Sequence, residues 1–103
     1  MSKTGAKIVE RTEMLSITSP DHVTRVDKAK YDAMKRALLA AIPAGEPGLT
    51  VAEIKARALP LLPEAQFPGG AKAGWWLKGV QLDLEARGVI AREASKPLRL
   101  HRL

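Results

Sequence analysis

A chain of 103 residues with 46% hydrophobic and 4% aromatic side chains has room for one modest core, packed chiefly by Leu, Ile, Val and Ala. The absence of cysteine excludes disulfides, thiolate metal sites and cysteine nucleophiles. A formal net charge of +6 favours an anionic partner, although small proteins also carry such charge simply to stay dispersed.

Residues 1–21 alternate polar and apolar side chains without a sustained period, and Ser19-Pro20-Asp21 is a turn signal. The expectation is an N-terminal tail over 1–21, extended or flexible, with an extended piece around Met14 to Ile17, followed by a single domain over 22–103. No apolar stretch of signal-peptide length occurs near the N-terminus. The longest apolar run, Ala37 to Ile42, is far too short to span a bilayer. A cytoplasmic bacterial protein with no membrane partner is therefore expected.

His22 to Val26 is short and β-branched, which suits a small strand. Asp27 is placed to cap a helix over KAKYDAMKRALLAAI, in which Tyr31, Met34, Leu38, Ala41 and Ile42 share one face. Pro43, Gly45, Pro47 and Gly48 end it. Thr50 and Glu53 then have capping-box spacing, with Val51, Ile54, Ala58 and Leu61 continuing an apolar face until Pro60 disfavours further helix. Pro68-Gly69-Gly70 opens a third helix, on which Ala73, Trp76, Leu77, Val80 and Leu84 face the core. Gly88 stands where a left-handed C-terminal residue is wanted. Val89 to Glu93 and Leu98 to Leu103 read as two strands joined by a tip at Ala94 to Pro97, with Leu98 and Leu100 on one face and Arg99 and His101 on the other.

The expected fold is thus α+β in the order β-α-α-α-β-β. GLTVAEI and LEARGVIAR resemble the second-helix start and the helix-to-wing junction of the winged helix-turn-helix superfamily. The resemblance covers roughly Val23 to Leu103. More narrowly, TRVD, PGGAKAGWW, LDLEARGV and KPLRLHRL are similar to a family of small bacterial winged-helix proteins of unknown function. The resemblance implies a third helix in the position that reads DNA and a basic wing that touches phosphates.

On that scheme Lys78 and Gln81 of the third helix, with Lys96, Arg99 and Arg102 of the wing, are the candidate contacts to double-stranded DNA. Asp83 and Glu85 read as surface acids that oppose such a partner, so the wing is the stronger candidate. Trp75 and Leu82 form a second apolar stripe, suited to a protein partner, to self-association or to the chain's own tail. Trp76 belongs to the core face. Gly69 to Gly74 invites comparison with a phosphate loop, but Trp75 stands where that motif needs Lys. His22 and His101 lack a recognisable carboxylate partner in sequence. No cofactor, no metal site and no enzymatic activity are expected; a regulatory DNA-binding module is the first expectation and a protein-interaction or dimerisation module the alternative.

Overall fold

The computed structural model describes residues 9–103. It is a mixed α+β fold with strands β1 (Arg11–Met14), β2 (Thr24–Asp27), β3 (Leu49–Thr50), β4 (Ile90–Arg92) and β5 (Arg99–Arg102), and helices α1 (Lys28–Ala41), α2 (Val51–Ala58) and α3 (Ala73–Ala86). Of the expected tail, residues 1–8 lie outside the described residues.

Local chemistry sets most of the helix ends. The Asp27 carboxylate accepts from the amides of Ala29 and Lys30 at 2.9 and 3.3 Å and so caps α1. Thr50 and Glu53 form the full capping box that opens α2. Those hydrogen bonds to Thr50 hold the Glu53 carboxyl below its usual range. After Ala58 the chain tightens into a 3-10 turn over Leu59–Leu61, with Pro60 inside it. At the far end of α3, Gly88 takes φ +73°, its amide donates to Glu85 O and the Val89 amide donates to Leu84 O, the paired bonds of a Schellman stop.

The start of α3 differs from the expected position. Pro68–Gly70 forms its own 3-10 turn with Gly69 and Gly70 at positive φ, so the α-helix begins only at Ala73, after Lys72 in the left-handed region. Two strands also add to the expected order. β1 pairs antiparallel with β2, Arg11 opposite Asp27 and Met14 opposite Thr24. β3 lies between α1 and α2 and pairs with β5, giving a second sheet in the order β3-β5-β4. Neither strand carries two full periods of alternation, so each depends on its remote partner rather than on its own pattern.

The core is built where these elements meet. Met34 and Leu38 of α1, Ile42 just after it, Ile54 of α2, Val80 and Leu84 of α3, and Ile90 and Leu100 of the sheet are all buried. Phe67, from the long α2–α3 connection, is buried as well and packs edge-to-face on Trp76 at 6.3 Å. Each such side chain contributes roughly 1.5–3 kcal/mol by leaving water. Met14 and Val26 extend this core beneath the N-terminal hairpin.

Candidate functional site

The helix α3 presents two unlike surfaces, and its neighbours decide which residues reach solvent. In its second half Asp83 is fully buried. Its carboxylate accepts from the Leu15 amide at 2.8 Å, from Arg87 Nε at 2.9 Å and from the Tyr31 hydroxyl. Arg87 continues outward and donates through Nη2 to Glu13 O at 3.0 Å. Asp83 thereby ties the β1 end and α1 to α3. Burial and the bond to Asp83 push the Tyr31 phenol well above its ordinary value, and the same carboxylate holds Arg87 above its own.

Glu85 is also buried, on the opposite side of the helix. Arg92 of β4 grips it through Nε at 2.5 Å and Nη2 at 3.1 Å, while Gln81 Nε2 donates to Glu85 Oε2 at 3.1 Å. The Glu85 carboxylate raises the pKa of Arg92 in turn. Asp83 and Glu85 are therefore not the surface acids that the sequence suggests. Two residues apart on a helix, they point in different directions, and each meets a separate covering element: the N-terminal hairpin for Asp83, the C-terminal hairpin for Glu85. Gln81, expected outward, is only 2% exposed and spends its amide on Glu85. It is not available to a macromolecular partner.

The first half of α3 is open. Trp75 is 57% exposed, the highest value of any aromatic among the described residues. Lys78, one turn further along α3, and Lys72, the residue that precedes the helix, are also exposed. Trp75 stands edge-to-face on Trp76 at 5.1 Å with an 80° interplanar angle. With Phe67 behind Trp76, a run of aromatic contacts braces the exposed indole from the core. Two hollows border this indole. One, of about 340 Å³, lies between α3 and the 14–24 segment, with Trp75, Lys78 and Leu82 on one side and Met14, His22 and Thr24 on the other. A second is bounded by Lys72, Trp75 and Trp76.

Met14 reaches this floor because residue 79 is glycine: a Cβ there would lie 2.7 Å from the Met14 methyl. Leu82 is half-covered by the same segment, and its carbonyl accepts from the Ile17 amide at 3.2 Å. The stripe expected from Trp75 to Leu82 is thus divided, with Leu82 largely against the chain's own N-terminal segment and Trp75 free.

On the C-terminal hairpin Lys96 is exposed at the tip between β4 and β5. Arg99 and Arg102 do structural work: Arg99 Nη1 donates to Gly48 O at 2.9 Å and lies 3.7 Å from Glu53, and Arg102 Nε donates to Ile42 O at 2.8 Å. His101 finds the carboxylate that sequence inspection missed. Its Nδ1 lies 2.7 Å from Glu93 Oε2, which also accepts from the Gly48 amide at 2.8 Å. The hairpin register was the available signal, since the Glu93 amide bonds Arg99 O and so places Glu93 and His101 two positions apart on one face. Among the described residues no three His, Asp or Glu side chains gather as metal ligands, and no helix is long and apolar enough to cross a membrane.

Residues 11–100 match the model of a family of unknown function, DUF6958. The chain belongs to this family. The DUF6958 match runs from the first residue of β1 to the middle of β5, so it takes in the Asp83 hub, the Trp75 surface and the C-terminal hairpin as far as Leu100. No curated protein and no solved structure matches the chain.

Proposed function

We propose that this DUF6958 chain is a nucleic-acid-binding module on a winged-helix scaffold. Supporting the scaffold is the run α1-β3-α2-α3-β4-β5, in which the strand between the first two helices lies beside the return strand of the final hairpin. On such a scaffold α3 occupies the reading position and the β4–β5 turn is the wing.

The observation that carries the reading is the charge left on the surface of α3. Its two acids are turned inward onto Arg87 and Arg92, while Lys72 and Lys78 stand exposed beside Trp75. A nearly balanced sequence becomes a basic outward face. The proposed contacts are Lys72, Lys78 and Lys96, with Arg99 and Arg102 as lesser contributors because backbone carbonyls already engage them.

The test is a fluorescence-anisotropy titration of a labelled mixed-sequence oligonucleotide, offered as duplex and as single strand at low salt. Binding that is lost in K72E/K78E/K96E supports the reading, whereas no binding of either form refutes it. A protein-interaction module using Trp75 is the second reading, favoured by the exposure of that indole and weakened by the cover over Leu82. It takes over if both oligonucleotide forms fail to bind.

A further inference from the structure

We infer that the hollow between α3 and the 14–24 segment holds one unpaired nucleobase stacked on Trp75, within a single strand whose flanking phosphates meet Lys72 and Lys78. This rests on the nucleic-acid reading above and names the form of the ligand.

The first argument is the indole itself. A duplex offers base edges in its grooves and keeps its base faces stacked within. A large, braced, solvent-facing ring on the reading helix therefore has no face to meet in a duplex, but an unpaired base supplies one. The bracing by Trp76 means that little side-chain freedom is lost when a base docks.

The second argument is the shape and lining of the hollow. At about 340 Å³ it has room for a planar heterocycle. Met14, Gly79 and Leu82 supply apolar lining, and Ser16, His22 and Thr24 carry groups able to hydrogen-bond a base edge.

The third argument is charge. Lys78 follows Trp75 by one turn of α3 and lines the same hollow, and Lys72, the left-handed residue before the helix, bounds the second hollow with Trp75. Among the described residues no carboxylate lines either hollow beside the indole. A planar apolar group between two anions complements this arrangement, and one nucleotide step of a single strand has that form.

The experiment compares labelled (dT)12 with a mixed-sequence duplex of equal length, using wild type, W75L and W75F. Trp75 is exposed, so both variants should keep the wild-type unfolding midpoint, which is measured alongside. The single strand should bind at least about tenfold more tightly than the duplex and quench tryptophan emission. W75L should lose about tenfold in affinity for the single strand and most of the quenching, and W75F should recover much of the affinity. Equal binding of the two forms, or single-strand affinity indifferent to W75L, overturns the stacking proposal and leaves the nucleic-acid reading standing. Failure of both forms to bind overturns that broader reading and this proposal with it.

Discussion

The two halves of α3 treat their polar side chains in opposite ways. From Gln81 to Arg87 the charged and amide groups are drawn into buried networks with Tyr31, Arg92 and the Leu15 amide. From Lys72 to Lys78 the cations stay in solvent around an exposed indole. The difference lies in what covers each half. The two hairpins close over the second half, whereas the outer side of the first emerges from a left-handed Lys72 and carries Trp75 between two open hollows. Charge written along a helix is therefore a poor guide to charge on its surface until the covering elements are known.

The sharpest way to break this comparison is to remove Asp83. D83A leaves the Leu15 amide and the Tyr31 hydroxyl without their acceptor and releases Arg87, so it should cost about 3 kcal/mol in urea unfolding. E85A should cost less, about 1–2 kcal/mol, because it orphans one buried donor, Gln81 Nε2, against the two that Asp83 holds, and the freed Arg92 side chain can hydrate. A loss for either no larger than that of a surface substitution would mean that the second half is not the buried network described.

Tyr31, the single tyrosine of the chain, sharpens the same point through pH. Its folded pKa is raised, so the folded chain holds the phenol proton more tightly than the unfolded chain does. That contribution to stability is complete below the ordinary value of 10.0 and is lost as pH climbs from there through the raised folded value. Phenolate absorbance should therefore appear only together with unfolding. Reversible phenolate formation near pH 10 in the folded protein would contradict the bond to Asp83.

The smallest expected effect belongs to the exposed half. K78E should change stability by no more than about 0.5 kcal/mol while weakening oligonucleotide binding, a separation visible by running unfolding and anisotropy on the same preparation. A large loss of stability would place Lys78 in the packing rather than on the surface.

Local signals made much of the fold legible. The Asp27 cap, the Thr50–Glu53 box and the Gly88 stop each depend on a few neighbouring residues, and all three are present in the structure. The helical wheel likewise placed Trp76 toward the core and Trp75 away from it, but not whether the chain's own tail would cover Trp75, which is exposed. Other features needed partners far along the chain. Arg87 is four residues from Asp83 and visible as a pair, but Tyr31 and Leu15 come from 52 and 68 residues away. β3 is two residues long and exists because β5 is beside it. The same wheel that placed Trp75 outward also placed Gln81 outward, because a wheel does not show that Arg92 of the next hairpin closes over Glu85 and the amide bound to it.

The most direct test is the salt dependence of single-strand binding for wild type and for K72E/K78E. With Lys72, Lys78 and Lys96 each neutralising one phosphate, the log–log slope of affinity against salt should be about −2 for wild type. It should shrink to less than about −1 in the double variant, with the folded midpoint unchanged. A wild-type slope near zero, or one that the double variant leaves intact, would contradict the assignment of the polyanion surface to the exposed half of α3.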